Sequence, residues 1–149
     1  MAGGRDLRVE GNWLDGVIIG NSGHNVLDEP CGNDYMEGGA GNDTYHVDSA
    51  RDVVREIWDG GHDTLILAAS FQATGNLEDF VMVGSAHIDL TTTWMDNRIQ
   101  GNAGNNRLNG GAGNATITGN GGKDVFAFAW LERGAHDVIT DFTPRQDQL

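Results

Sequence analysis

Large apolar residues in this chain recur once in nine positions, a period that fits neither a helix nor an ordinary strand. From Gly20 the chain reads GNSGHNVLD, EPCGNDYME and GGAGNDTYH, three consecutive blocks of nine. From Thr92 it reads TTWMDNRIQ, GNAGNNRLN, GGAGNATIT and GNGGKDVFA, four more. The eighth position holds Leu27, Met36 and Tyr45, then Ile99, Leu108, Ile117 and Phe126. The sixth holds Asn25, Asp34 and Asp43, then Asn97, Asn106, Ala115 and Asp124. Gly11 to Ile19 reads as a decayed earlier unit with Ile18 in the apolar slot.

This pattern predicts a repeated turn followed by a very short strand. Six residues rich in glycine can enter φ > 0 conformations that are closed to most side chains. The next three place one side chain inward, as alternation along a strand requires. A single unit cannot bury that side chain, so units must stack into a continuous apolar column. Two units make one coil, and residues 18 apart should then lie above one another, with strands about 4.8 Å apart.

Val47 to Thr91 lacks the motif, yet Asp43 to Asn97 is six nonapeptide lengths, so the frame survives the gap. The segments DVVREI, DTLILAAS and FVMVGSAHIDL read as strands split by turns, which predicts a continuing solenoid with broader coils. Five regions follow: a degenerate N-terminal coil or cap at 1–19, a first block at 20–46, non-motif strands at 47–91, a second block at 92–127 and a closing segment at 128–149.

Charge narrows the partner. Among 149 residues the formal net charge is −13, with 22 acidic and 9 basic side chains and 23 glycines. Such repulsion opposes compaction unless cations neutralise it. Nucleic acid is a poor partner, because phosphate binding needs clustered Lys and Arg. No run approaches the ~18 apolar residues of a membrane span. A single cysteine, Cys31, excludes an internal disulfide. Stacked turns would bring two sixth-position side chains and several carbonyls to one gap, a set of hard oxygen donors that suits Ca²⁺.

The unit GGAGNDTYH follows the pattern G-G-x-G-x-D-x-U-x, and here the sequence resembles the RTX family of hemolysin-type calcium-binding repeats. The resemblance implies an all-β, right-handed parallel β-roll with Ca²⁺ between successive turns, folding as calcium binds. It implies as ligands the side chains of Asp34, Asp43 and Asp124, with carbonyls of the turn Gly38, Gly39, Ala40 and Gly41. It also implies a secreted protein exported by a type I system, whose signal is C-terminal, which accords with an N-terminus lacking a signal peptide's apolar core. The chain stops at Asp-Gln-Leu as if in mid-strand, as expected of a fragment of a larger protein.

The 18-residue rule grades the sites. It pairs Asn25 with Asp43, Asn97 with Ala115, and Asn106 with Asp124, so no pair within a block is Asp over Asp. Asparagine offers a neutral oxygen and alanine none, so affinity should fall, and the Asn97/Ala115 gap should hold no ion. Glu29-Pro30-Cys31 stands where glycines belong, so the turn there should be distorted, with Glu29 as an oxygen donor. Asp52, 18 residues after Asp34, either completes a two-carboxylate site or opens a strand facing solvent. Asp63 beside Gly60-Gly61 reads as a turn or calcium carboxylate. By the resemblance, Asp137 and Asp141 close the last turn with one more calcium; the alternative is two exposed carboxylates.

Catalytic signatures are missing: no His-Glu-x-x-His helix, no Gly-x-Ser-x-Gly elbow, no phosphate loop outside the nonapeptide frame. His24 and His46 fall at outward positions and should be solvated. Trp13, Trp58, Trp94 and Trp130 are expected to cap ends or loops, or alternatively to stack on sugar rings. The reading is a non-catalytic calcium-binding module that supports an attached domain of its parent protein. Alternatives are a module binding an extracellular, alginate-like polysaccharide, and a solenoid scaffold of a larger assembly.

Overall fold

A computed structural model describes residues 4–128 and 136–149. Among these residues every regular element is a short strand. They are β1 (Arg8–Glu10), β2 (Val17–Ile19), β3 (Val26–Asp28), β4 (Tyr35–Glu37), β5 (Thr44–Val47), β6 (Val53–Arg55), β7 (Thr64–Leu67) and β8 (Phe71–Gln72). There follow β9 (Asp79–Met82), β10 (Asp89–Thr91), β11 (Asn97–Gln100), β12 (Arg107–Asn109), β13 (Ala115–Thr118), β14 (Val125–Ala127) and β15 (Val138–Ile139). The strands are this short because only one or two side chains per unit have a core to enter.

All named strand pairs are parallel, and odd and even strands lie on opposite faces of a β-solenoid. The odd strands form one unbroken eight-stranded sheet in the order β1-β3-β5-β7-β9-β11-β13-β15. The even strands form two sheets, β2-β4-β6 and β14-β12-β10-β8, with an interruption between β6 and β8. Thr74 donates from its hydroxyl to the Val54 carbonyl at 2.8 Å and Asn76 from its amide to the Glu56 carbonyl at 3.2 Å, so side chains bridge that seam.

The core is two columns between the faces. In the first, Leu27 is in register with Tyr45, Tyr45 with Leu65, Leu65 with Phe80, Phe80 with Ile99, and Ile99 with Ile117. In the second, Ile18 lies beside Met36 and Met36 beside Val54; past the seam Phe71 adjoins Leu90, then Leu108, then Phe126. All of these side chains are buried, and burial of one such side chain contributes about 1.5–3 kcal/mol.

The register keeps the 18-residue step within the repeat blocks and departs from it between them. Successive coils from Asp43 step 20 residues to Asp63, 15 to Glu78 and 19 to Asn97, and the three together restore the original frame. FVMVGSAHIDL therefore splits into two strands, β9 and β10, on opposite faces. Beyond the second block, Gln148 joins the edge of β14: the Phe126 N–H donates to its carbonyl at 2.9 Å and its N–H to the Asp124 carbonyl at 2.8 Å. Phe142 packs on Phe126 with ring centroids 6.0 Å apart. Among the described residues no helix is long and apolar enough to cross a membrane.

Candidate metal centres between stacked turns

Each sixth-position aspartate stands at the end of a turn, just before its strand, with its carboxylate directed one coil back. Asp34 accepts the Gly16 N–H at 2.8 Å, Asp43 the Asn25 N–H at 2.6 Å and Asp124 the Asn106 N–H at 2.8 Å. Asp52 accepts from Asp34 at 3.0 Å and Asp63 from Asp43 at 2.8 Å, so the same ladder runs beyond the motif. The fifth position runs a second ladder in the opposite sense. There the Asn42 N–H donates to His24 Nδ1 at 2.7 Å, the Asn114 N–H to Asp96 at 2.7 Å and the Lys123 N–H to Asn105 at 2.8 Å. His24 is exposed, as expected, but it also holds the coil above it.

Glycine at the first position follows from this geometry. A Cβ on Gly38 would run into the Asp43 carboxylate and the Tyr45 hydroxyl, and one on Gly119 into the Asp124 carboxylate. In the second unit, where glycines are replaced, Cys31 itself adopts a left-handed φ of 63° and Gly32 a φ of 117°, so the turn is retained. The Glu29 side chain is buried and accepts the Asn12 N–H at 3.2 Å.

One oxygen of each carboxylate serves the ladder, which leaves the other. Asp34 and Asp43 are each 1% exposed, and their Oδ2 atoms are buried with no hydrogen-bond partner. Burial pushes Asp34, Asp43 and Asp124 above their ordinary pKa; neighbouring Asp52 adds to the shift at Asp34, and Asp147 to that at Asp124. A buried charge without a partner costs several kcal/mol. Unsatisfied carboxylate oxygens facing glycine-lined turns meet the requirement of a hard, oxygen-seeking cation. The residues present therefore fit calcium.

The model of the RTX calcium-binding nonapeptide repeat matches in four copies, over residues 32–54 and 91–126. The chain carries RTX calcium-binding nonapeptide repeats. No curated protein and no solved structure matches it. The first matched segment includes Asp34, Asp43 and Asp52, and the second Asn97, Asn106, Ala115 and Asp124. RTX repeats are structural units that bind calcium and carry no catalytic machinery of their own.

Several sequence expectations take definite form around the RTX turns. Asp52 is buried rather than solvent-facing: Oδ1 accepts from Asp34, and Oδ2 accepts the N–H groups of Asp48 and Ser49 at 3.2 and 3.1 Å. Asp63 is buried beside Asp43, and Glu56 joins them, the three offering carboxylate oxygens within 4.8 Å of one another. Burial, reinforced by Asp63, pushes Glu56 up to about 8; burial, reinforced by Glu78 and Asp43, pushes Asp63 up to about 7.

Asn25 turns its amide nitrogen toward the carbonyls of Asn21, Gly23 and Gly38 and toward Asp43. Asn106 accepts from the Asn102 N–H at 3.1 Å. At the Asn97/Ala115 step, the Asn97 amide donates to the Leu77 carbonyl at 2.7 Å, and the Ala115 N–H goes to Asp137 at 2.9 Å. Asp141 accepts the N–H groups of Gly119 and Asn120, so both terminal carboxylates brace the last coil instead of standing free.

Glu56, Glu78 and Asp147 carry no signal in the repeat pattern. Glu78 takes the Asp63 N–H at 2.8 Å and Asp147 the Asp124 N–H at 3.0 Å, at spacings of 15 and 23 residues that no nonapeptide rule reaches. Among the described residues the tryptophans are exposed. Trp13, Trp58 and Trp94 are 81%, 71% and 56% exposed, and Trp58 and Trp94 stack on each other with centroids 5.7 Å apart. Trp130 lies outside the described residues.

Proposed function

We propose that this chain is a calcium-binding β-roll module of a secreted or cell-surface protein, exported by a type I route, which folds as calcium binds and rigidly supports an attached domain. The observation that carries this reading is the pair of buried, partnerless oxygens on Asp34 and Asp43. The proposed ligands are the side chains of Asn25, Asp34, Asp43, Asp52, Asp63, Asn106, Asp124, Asp137 and Asp141, with carbonyls of Gly38, Gly39, Ala40 and Gly41. Calcium supplies positive charge that cancels carboxylate repulsion between coils, so folding and binding are coupled. Far-ultraviolet circular dichroism in EGTA, followed by calcium titration with magnesium as control, tests it. A calcium-specific gain of β signal is expected; a β signal already full in EGTA and indifferent to calcium would overturn the reading.

A second reading, attachment to an extracellular polysaccharide, is favoured by the exposed Trp58–Trp94 stack, since indole faces in solvent are platforms for sugar rings. Affinity-gel retardation on acidic and neutral polysaccharides, with calcium present, separates the two: retardation abolished by Trp58→Ala supports it, and no retardation on any gel removes it.

A further inference from the structure

We infer that Asp43, Glu56 and Asp63 form a three-carboxylate cation site at the seam of the even-strand face, and that it fills before any other site of the chain. The inference rests on the calcium-binding reading and adds to it a particular site, a ligand outside the repeat motif and an order of filling.

Three segments from two successive coils meet here. Asp43 precedes β5, Glu56 follows β6 directly, and Asp63 precedes β7 one coil on. Each contributes a carboxylate oxygen, all within 4.8 Å of one another, and each residue is at most 5% exposed. Asp43 commits Oδ1 to Asn25, while Oδ2 is fully buried with no partner. Asp63 commits Oδ1 to the Asp43 N–H. Glu56 is oriented by the Tyr45 hydroxyl and by the Ile57 N–H, and the Tyr45 hydroxyl in turn accepts from the Gly38 N–H. Three carboxylates at this separation, removed from water, are untenable as a charged set without a cation between them.

The other gaps are poorer in charge. The Asn25/Asp43 step has one carboxylate, and the Asn25 amide nitrogen already donates to the surrounding carbonyls. The Asn106/Asp124 step also has one, and Asn97/Ala115 has none. Asp34 over Asp52 has two, one fewer than the three carboxylates that meet at the seam. Affinity for Ca²⁺ rises with the number of charged ligands and the rigidity of their mounting. Both favour the seam.

The position has a structural consequence. Between β6 and β8 the even-strand face has no strand pairing. A cation held by Glu56 at the end of β6 and by Asp43 and Asp63 in two successive coils adds to the backbone bonds from the Thr64 N–H to the Asp43 carbonyl and from the Gly41 N–H to the Gly60 carbonyl, next to the face where the even strands do not pair. Trp58 lines the same surface pocket as Asp63, so an ion bound there lies near an indole donor.

Terbium, a calcium-sized trivalent cation whose emission is sensitised by nearby tryptophan, tests this on the whole chain, with calcium titrations followed by circular dichroism in parallel. In wild type the first equivalent of terbium should give sensitised emission. Glu56→Gln, which keeps an acceptor for Tyr45, should weaken that first ion at least tenfold and leave later steps unchanged. The double variant Trp58→Phe/Trp94→Phe should lose most of the first-equivalent emission without a change in calcium affinity. If calcium still folds Glu56→Gln with the wild-type first step, the seam site is refuted and the calcium reading stands. If Glu56→Gln fails to fold, the double variant decides: undiminished first-equivalent emission refutes the seam site. If neither ion binds wild type or alters its fold, both readings fall together.

Discussion

The Asp43 carboxylate accepts two hydrogen bonds from Asn25 one coil earlier, from its backbone N–H at 2.6 Å and from its side-chain amide at 2.8 Å. One carboxylate thus holds two coils together through Oδ1 and presents a buried Oδ2 that no protein group satisfies. The two oxygens have separable roles, and substitutions should separate them.

Asp43→Asn retains an acceptor for Asn25 and removes the charge. With sucrose present to drive the metal-free chain to fold, its thermal stability in EGTA should stay near wild type, while the calcium midpoint rises by about tenfold or more, as loss of a charged ligand implies. Asp43→Ala also strands the Asn25 N–H, at a cost of about 1–3 kcal/mol, and should lower stability even in EGTA with the same sucrose. Thermal melts in EGTA and in calcium check both variants; equal calcium responses in the two would deny the division of labour.

The metal-free chain should lose stability as pH rises. Glu56 at about 8 and Asp63 at about 7 lie above their ordinary values, so the folded state binds more protons than the unfolded state. Their contribution is therefore fully present below the usual carboxylate range and disappears as pH passes through about 7 to about 8. Urea midpoints measured in EGTA with sucrose, an excluded osmolyte that drives the metal-free chain to fold, should fall across that window between about pH 5 and about pH 9. Saturating calcium should flatten or reverse the slope, and a midpoint that climbs with pH in EGTA would contradict the burial of these two groups.

Glycine at the first repeat position should be intolerant for a specific reason. In Gly38→Ala the added methyl meets the Asp43 carboxylate and the Tyr45 hydroxyl, so we expect a loss of about 1–3 kcal/mol and a weakened calcium response. A methyl added at Gly75 would meet nothing within 4 Å, and Gly75→Ala should stay within about 0.5 kcal/mol of wild type. Calcium-saturated melts of the two variants side by side make the comparison.

The C-terminal strand end depends on Asp147, which accepts the N–H groups of Asp124 at 3.0 Å and Thr143 at 2.8 Å. Asp147→Ala should fray this end without unfolding the stack, because the remaining coils keep their own ladders. Hydrogen exchange should accelerate at the Phe126 and Gln148 amides and stay unchanged at Tyr45. Uniform acceleration along the chain would show the end to be part of one cooperative unit.

Much of this architecture was legible in the residues alone. The nonapeptide register placed Leu27, Met36, Tyr45, Ile99, Leu108, Ile117 and Phe126 in the core, and all are buried. It also paired Asn25 with Asp43 and Asn106 with Asp124 across one coil, as the hydrogen bonds do. These are local matters, since turn chemistry and strand alternation act within nine residues and stacking repeats them. The partners Glu56, Glu78 and Asp147 were invisible to that rule.

The sequence by itself determined the stacked solenoid of short strands, its apolar columns and its glycine-rich turns, because each follows from a short motif whose geometry is fixed by glycine and by one inward side chain. Only the tertiary structure decided that the intervening coils step by 20, 15 and 19 residues, that the even-strand face breaks after β6, and that Glu56 meets Asp43 and Asp63 there. The reason is physical: coil length outside the motif is set by how loops close around the core, and a meeting of side chains 13 and 20 residues apart has no signature until those loops are closed.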